Sequence, residues 1–266
     1  MAIITKKIGQ LEILTAGGIG AAHGFTTRLG GVSSGNLGSL NISFHRGDSE
    51  ENVAKNYEIL SNALGCRKEN IVLTHQIHSD IVRNVTKADH LGLDHHQYPP
   101  CDALITNDPG TALVIFTADC TPILLWDEKT GAVGAVHAGW RGTAQNIAGK
   151  TVEAMCRDLG CEAKNIRAAI GPNIGQCCFE TDAEVPQALV AAFGPEARVF
   201  IRQNGEKFYP DLKKINALAL QKAGLTHIHI SADCTMCQPD RFWSHRVHGP
   251  ARGSQGAIIL CGEGSL

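Results

Sequence analysis

From Thr117 to Gly142 the chain reads T-A-D-C-T-P-I-L-L-W-D-E-K-T-G-A-V-G-A-V-H-A-G-W-R-G. Two short apolar runs, Pro122 to Trp126 and Ala132 to His137, flank a polar segment that ends in glycine. This is the pattern of a β-hairpin. Pairing of the two strands brings Cys120 and His137 to the same end of the hairpin. We therefore predict that the hairpin presents a thiolate and an imidazole side by side.

A cysteine beside a histidine supports two chemistries. The two side chains can share a zinc ion, or they can act as a nucleophile and its base. A third candidate is His78, in the β-like run from Ile71 to Val82, where strand alternation places Gln76 and His78 on one face. Three protein ligands with a free fourth position are typical of a catalytic zinc site. His78, Cys120 and His137 supply such a set.

Arginines flank the predicted site. Arg28 lies in the glycine-rich segment from Thr27 to Ser33, whose backbone N–H groups can wrap an anion. Arg141 follows the hairpin at a predicted junction between a strand and a helix, where an anion can also be held. We expect both arginines to bind an anionic co-substrate such as phosphate. Asp119, next to Cys120, is a candidate proton shuttle unless strand alternation turns it away.

The composition limits the possible classes of protein. The chain has 266 residues, 43% of them hydrophobic, and a formal net charge of -2, which provides no electrostatic footprint for nucleic acid or an anionic membrane. Charged residues interrupt the first fourteen residues, and no uncharged apolar run is long enough for a membrane helix. We expect a cytoplasmic protein whose ten cysteines are mostly reduced.

The remaining pattern alternates strands with helices and has no repeat, linker or low-complexity tract. We predict an α+β fold with mixed β-sheets packed with helices, formed as a single domain over residues 1–266. Helices are expected from the Ser49 cap to Leu64 and from Thr143 to Leu159. The vicinal pair Cys177-Cys178 lies in a constrained loop that can form a site wall. The C-x-x-C at Cys234 to Cys237 would need a second such pair, or nearby histidines, to form a zinc site.

Three classes of function remain open at this point. The first is a zinc enzyme that uses His78, Cys120 and His137. The second is a cysteine hydrolase with a Cys120/His137 dyad and no metal. The third is a metal carrier without catalysis, which assigns no role to Arg28 and Arg141.

Several long motifs occur in the order that is typical of one known family. The chain strongly resembles the laccase-domain family, labelled multicopper polyphenol oxidoreductases and also called peptidoglycan editing factor. The matching segments are T-T-R-L-G-G-V-S, L-N-I-S, H-Q-I-H-S-D, C-D-A-L-I-T, T-A-D-C-T-P-I-L-L, A-V-H-A-G-W-R-G-T, I-G-P-N-I-G-Q-C-C-F-E and F-W-S-H-R. They cover nearly the full length. The chain departs from the family pattern at His245-Arg246 and Gly253-Ser254-Gln255, where relatives have Arg-Arg and Gly-Arg-Gln.

This resemblance implies a small-molecule enzyme. It implies a zinc site at His78, Cys120 and His137, with Arg28, Cys120 and His137 as the catalytic residues. It further implies phosphate-dependent cleavage of adenosine, inosine and methylthioadenosine, together with adenosine deaminase activity. Arg28 matches the family's phosphate-side arginine, and Asn41 and Arg141 are the further substrate-binding candidates.

Two alternatives remain beside that activity. One is a hydrolase that edits a peptidoglycan precursor at an amide bond. The other is a copper-dependent polyphenol oxidase, which ranks lower because the sequence lacks the clustered ligand pattern of blue-copper sites. The expected partners are a purine nucleoside and phosphate, and the oligomeric state, monomer or dimer, does not follow from the sequence.

Overall fold

The computed structural model of the chain describes residues 3–262. These residues form fourteen β-strands and six α-helices, numbered here in chain order. The strands are β1 (Ile3–Ile8), β2 (Leu11–Ala16), β3 (His23–Thr26), β4 (Ile71–Leu73), β5 (Val82–Asn84), β6 (Ala103–Thr106), β7 (Ala112–Thr117), β8 (Thr121–Asp127), β9 (Val133–Ala138), β10 (Ile166–Ile170), β11 (Ile201–Asn204), β12 (Lys207–Pro210), β13 (His227–Ile230) and β14 (Gln255–Leu260). The helices are α1 (Glu50–Leu64), α2 (Trp140–Ala144), α3 (Ile147–Leu159), α4 (Glu184–Phe193), α5 (Leu212–Lys222) and α6 (His245–His248).

Two six-stranded sheets dominate the fold. The first sheet has the strand order β1-β2-β3-β14-β7-β4, and the second has the order β13-β10-β8-β9-β6-β5. Both sheets mix parallel and antiparallel pairs, since β4 runs parallel to β7 and β10 runs parallel to β13. Strands β11 and β12 form a separate hairpin. The predicted α+β class with mixed sheets and helices is confirmed.

The second sheet separates two hydrophobic clusters. Because successive side chains of a strand point to opposite faces, Leu124 of β8 joins a core shared with the first sheet, whereas Ile123 and Leu125 join a core shared with the helices. Helices α3, α4 and α5 contribute the apolar residues of that outer core. The layers are therefore the first sheet, the second sheet and a helical layer, with α1 packed into the core of the first sheet.

Three of the four connections between the two large sheets meet at one end of the molecule, whereas the fourth, β6–β7, lies at the other end of β7. The segments β4–β5 and β7–β8 pass from the first sheet to the second, and β13–β14 passes back. The predicted hairpin is confirmed as the antiparallel pair β8–β9, in which Pro122 lies opposite His137. Cys120, directly before β8, therefore lies where a connection enters the second sheet.

Some predicted elements are confirmed and two are wrong in detail. Helix α1 has the predicted Ser49 cap, whose side chain accepts a hydrogen bond from the Asn52 N–H, and it ends at Gly65 in the left-handed region. The expected continuous strand from Ile71 to Val82 is interrupted after Leu73. The expected single helix from Thr143 is interrupted as well, because Asn146 adopts φ 60° between α2 and α3.

Among residues 3–262, no helix has the length and apolar character needed to cross a membrane.

Candidate metal centre and active site

The structure brings His78, Cys120 and His137 together. One potential ligand atom from each residue lies within 4.8 Å of the other two, and Cys120 Sγ lies 3.9 Å from His78 Nε2. In a tetrahedral zinc site a sulfur and a nitrogen ligand are about 3.5 Å apart. The three side chains therefore fit a metal ion with little movement. His137 is 3% exposed, while His78 is open to solvent, so the fourth position faces a cavity.

Asp102 orients this group, and the sequence analysis did not identify it. Its carboxylate accepts hydrogen bonds from His137 Nδ1 at 2.8 Å, from the backbone N–H of His78 at 3.1 Å, and from the N–H and hydroxyl of Ser79, both at 2.7 Å. A carboxylate behind a metal-binding histidine fixes the ring and its tautomer. The bond to Nδ1 leaves Nε2 of His137 for the centre. The only sequence signal was the C-D-A-L-I-T motif that contains Asp102.

The loop geometry at Asp102 also explains why His78 points to the centre. The predicted strand would place Gln76 and His78 on one face, but His78 has φ 61°, which no extended strand contains. Three consecutive N–H groups, of Ile77, His78 and Ser79, point to the Asp102 carboxylate. Gln76 and His78 still line the same cavity, so the predicted association is present although its backbone basis was wrong.

The metal-free centre holds an ion pair. Burial by itself raises the pKa of the Cys120 thiol, but the charge and hydrogen bond of His137 and the hydrogen bond of His78 lower that pKa to about 6. Burial lowers the pKa of His137, whereas the Cys120 charge and the Asp102 hydrogen bond together raise it. The two shifts favour a thiolate beside an imidazolium. A thiolate is also the form that binds a metal.

Gly139 is required by the close packing around the centre. A Cβ at this position would lie 2.9 Å from His78 Cδ2 and 3.2 Å from Cys120 Sγ, which is tighter than side chains tolerate. The residue follows β9 and caps α2. Glycine therefore lets the backbone approach the two ligand side chains closely.

Two adjoining cavities open from the centre, of about 140 and 280 Å³. Both are lined by His78, Cys120 and Arg252. The first also includes Arg46, and the second includes Phe179 on the wall formed by the loop after β10. The prediction that this loop shapes a site wall is consistent with this placement.

The cavity arginines are Arg46 and Arg252, which the sequence analysis did not identify. Arg46 makes no hydrogen bond or ion pair within residues 3–262, and Arg252 contacts Gly253 O, Ser254 Oγ and His245 Nδ1 but no carboxylate. Burial and the nearby Arg46 charge lower the pKa of Arg252 to about 10. Neither arginine forms an ion pair with a carboxylate, although the charges of Cys120 and Asp119 partly offset the effects of burial and of Arg46 on Arg252.

Arg28 is placed differently from the prediction. Its guanidinium donates to Gly38 O and Pro239 O and lies 3.9 Å above the Trp243 ring. It does not line either cavity of the centre. The N–H groups of Gly30 and Gly31, expected to face an anion, both donate to Ser39 Oγ. The loop is closed by its own hydrogen bonds.

The other predicted substrate residues also lie outside the cavity lining. Arg141 is exposed and lies 4.3 Å above the ring of its neighbour Trp140. Asn41 is fully buried, and its side chain donates to Asp48 and accepts from the N–H groups of Ser43 and Ser254. Since Ser43 and Ser254 line the cavity, Asn41 positions the cavity wall.

The Asp119 carboxylate is held by hydrogen bonds from another part of the chain. The carboxylate accepts hydrogen bonds from Thr235 Oγ1 at 2.6 Å, Ser244 Oγ at 3.0 Å and the Arg246 N–H at 2.8 Å. All three donors lie on the connection between β13 and β14. Asp119 therefore ties that connection to the centre, and its hydrogen-bonding capacity is used in doing so. Asp119 also stands at φ 88°, which turns Cys120 toward the histidines.

The fold and the site define a mixed two-sheet protein with a buried thiolate–imidazole centre that can hold a metal. The family model described as "Multi-copper polyphenol oxidoreductase laccase" matches residues 22–262, and the chain belongs to this family.

Relatives of known name cover most of the chain. Purine nucleoside phosphorylase YlmD of Geobacillus stearothermophilus is 37% identical over 247 residues, which are 90% of this chain and 89% of that protein. A purine nucleoside phosphorylase of Bacteroides thetaiotaomicron is 34% identical, over 87% of this chain and 88% of the relative. The crystal structure of YlmD from Geobacillus stearothermophilus matches with a TM-score of 0.92, at 34% identity, over 98% of this chain and 100% of that chain.

Proposed function

We propose that the protein is a zinc-dependent purine nucleoside phosphorylase that acts on adenosine, inosine and methylthioadenosine and also deaminates adenosine. One observation carries the proposal: Arg46 and Arg252, neither of them held in an ion pair, bring two cations to a cavity that contains His78, Cys120 and His137. The names of the relatives support the same activity for this chain.

Phosphate fits the charge of the cavity. Burial and the charge of Arg46 lower the pKa of Arg252, and the charges of Cys120 and Asp119 offset this only in part. An anion bound between the two arginines would therefore stabilise both. Guanidinium groups bind phosphate through paired N–H donors. Arg46 and Arg252 would therefore hold phosphate beside the centre, with Ser43 and Ser254 as neutral donors on the same wall.

The nucleoside would lie across the two cavities. Phe179 supplies a flat apolar surface for the purine base, and the polar first cavity suits the ribose and phosphate. In phosphorolysis a phosphate oxygen forms a bond to the ribose C1′ while the bond from C1′ to the base nitrogen breaks. The base leaves with that electron pair and takes up a proton, and the sugar leaves as ribose 1-phosphate.

His78, Cys120 and His137 would hold the zinc ion. When bound, zinc polarises a substrate oxygen and acidifies a coordinated water, which is the chemistry needed for deamination. Asp102 would keep the His137 ring in place throughout, and Gly139 leaves room for both ligand side chains.

The test is chromatography of adenosine, inosine and methylthioadenosine after incubation with the purified protein, with and without phosphate. We expect the free base and a phosphorylated sugar only when phosphate is present, and inosine from adenosine in either case. If no free base and no inosine form, the proposal is wrong.

Variants separate the two possible phosphate sites. Arg252→Gln is expected to raise the KM for phosphate about tenfold to a hundredfold, because it removes a charged hydrogen bond. Arg28→Gln is the comparison, since the resemblance assigns the phosphate to Arg28. A raised KM in Arg28→Gln together with an unchanged KM in Arg252→Gln would favour that assignment.

A cysteine hydrolase is the second candidate, and the metal-free geometry favours it. Cys120 Sγ lies within 4.8 Å of a ring nitrogen of His137, and Asp102 accepts a hydrogen bond from His137 Nδ1, which is the arrangement of a nucleophile, a base and an orienting acid. The lowered pKa of Cys120 supplies the thiolate. An amide bond of a peptidoglycan precursor would be a substrate of this class.

Metal analysis decides between these candidates. Zinc that is lost in His78→Ala together with nucleoside turnover supports the phosphorylase. Amide hydrolysis that persists after complete chelation supports the hydrolase. Copper at the same ligands, with oxidation of a phenol, would support the activity in the family description.

A further inference from the structure

A second cluster of metal-binding side chains lies away from the candidate active site. One Sγ atom from each of Cys177, Cys178, Cys234 and Cys237 lies within 4.8 Å of the other three. Cys237 Sγ is 3.6 Å from Cys177 Sγ and 3.3 Å from Cys178 Sγ. The four thiols come from two segments about sixty residues apart.

The fold explains how these segments meet. Strands β10 and β13 are parallel neighbours, so the loops that follow them leave the sheet at the same edge. The pairing continues beyond the strands, because Asn173 bridges Cys234 and the Thr235 N–H donates to Asn173 O at 3.0 Å. The vicinal pair follows β10 and the C-x-x-C follows β13. The second cysteine pair that a C-x-x-C needs is therefore supplied by another loop.

The sulfur spacing fits one metal ion. A zinc ion with four sulfur ligands at about 2.3 Å has its ligand atoms about 3.8 Å apart. The spacings of 3.3 and 3.6 Å, with all pairs within 4.8 Å, lie around this value. All four cysteines are free thiols in the structure. A single ion at their centre would satisfy all four at once, whereas a cluster of several irons needs a wider arrangement.

The surroundings suit a negatively charged site. The Gly175 N–H donates to Cys234 Sγ at 3.1 Å, as amides do around metal thiolates. A Cβ at Gly175 would lie 3.1 Å from Cys177 Sγ, so glycine permits this approach. Lys213 is 7% exposed, its Nζ donates to Asp233 O at 2.8 Å, and its charge acts on Cys177 and Cys234. A buried cation thus stands beside the thiols.

We propose that Cys177, Cys178, Cys234 and Cys237 form a structural zinc site, distinct from the centre at His78, Cys120 and His137. Four thiolates close the coordination sphere and leave no position for a substrate. The ion would join the loop after β10 to the loop after β13. Those loops carry Phe179 and Thr235, so the structural zinc would fix the cavity wall and the hydrogen bond to Asp119.

The test uses the full chain, freed of any affinity tag, with metals measured per chain by mass spectrometry. We expect the Cys234→Ser/Cys237→Ser variant to contain one zinc fewer than the wild type. The same difference is expected in a His78→Ala background, which isolates this site from the active site. The Cys66→Ser/Cys156→Ser variant, which changes two thiols outside the cluster, is the control and keeps the full metal content.

A second pair of variants distinguishes the loss of a metal ligand from misfolding. Cys177 is exposed, and histidine can replace one cysteine as a zinc ligand. Cys177→His should therefore retain the ion, while Cys177→Ser loses it or holds it more weakly. Substitution of cobalt should give a thiolate charge-transfer absorption that disappears in the Cys234→Ser/Cys237→Ser variant.

Three results would overturn the proposal. The first is an equal metal content in the wild type and the Cys234→Ser/Cys237→Ser variant. The second is wild-type protein that is isolated without metal and has disulfide bonds among the four cysteines, as measured by thiol titration without reductant. The third is iron with sulfide in place of zinc.

Discussion

Asp102 shows how one buried carboxylate can set the geometry of a reactive centre. It is fully buried, accepts hydrogen bonds from the backbone of the His78 loop, and binds His137. Burial opposes its charge, but the bonds from His137 and Ser79 lower its pKa to about 2. Because the folded-state pKa is depressed, this stabilisation is present above the ordinary pKa of an aspartate and is lost only in strong acid.

Replacement of Asp102 by asparagine should weaken the centre. The amide nitrogen of Asp102→Asn would face N–H donors, so we expect metal affinity to fall about 10- to 100-fold and the free energy of unfolding to fall by about 1–3 kcal/mol. Competition with a coloured chelator and urea unfolding measure the two effects. Asp182→Asn changes an exposed carboxylate paired with Lys207 and is the control. Unchanged metal affinity in Asp102→Asn would contradict this account.

The sequence predicted the ligand candidates but not the residues around them. His78, Cys120 and His137 belong to residue types with a narrow range of chemistry, so their association followed from type and hairpin register. Arg46 and Arg252 lie on loops with no periodic pattern, and only the folded connections bring them to one cavity. Arg28 had the right chemistry, but the structure uses its donors on Gly38 O and Pro239 O.

At the scale of elements, the break between α2 and α3 shows what an apolar period does not encode. Ile147, Thr151 and Met155 recur at helical spacing in the sequence, and all three are buried on one face of α3. This spacing does not reveal that Asn146, the residue before α3, leaves the helix. A single residue with positive φ does not alter the apolar spacing of the residues that follow it. Asn146 tolerates this conformation better than most residues do.

Substitutions at Asn146 should separate backbone strain from side-chain contact. Asn146→Ala is expected to lower the free energy of unfolding by about 1 kcal/mol, because alanine pays the cost of positive φ. Asn146→Gly should stay within about 0.5 kcal/mol of the wild type, since glycine adopts that conformation freely. Urea unfolding measures both. Asn62→Ala, on the exposed side of α1, is the control. Equal losses for alanine and glycine would show that the side chain, not the backbone, matters.

At the scale of the whole molecule, the central position of β14 in the first sheet depends on distant parts of the chain. It is last in the chain among the described strands, yet it lies between β3 and β7 in the middle of the first sheet. All six of its residues are buried. The apolar run from Gly256 to Leu260 is typical of a strand. Its place in the sheet does not follow from the sequence, because strand order depends on long-range pairing that no local pattern specifies.

Truncation of a side chain in β14 should therefore be costly. Ile258 is fully buried and lies between Gly24 and Val114 of the neighbouring strands. We expect Ile258→Ala to lower the free energy of unfolding by about 2–5 kcal/mol. Ile4→Ala, at a residue 49% exposed on the edge strand β1, should change it by less than about 0.5 kcal/mol. Similar losses at both positions, measured by denaturant unfolding, would contradict a central role for β14.

The connections that meet at the centre bear on when a metal ion could bind there. His78 and Cys120 lie on two segments that pass between the sheets, and His137 lies on the second sheet. The first sheet is complete only after β14 has left the ribosome and inserted between β3 and β7. We therefore expect the three side chains to come together only once the first sheet is complete. A metal ion at this centre would then be acquired after synthesis.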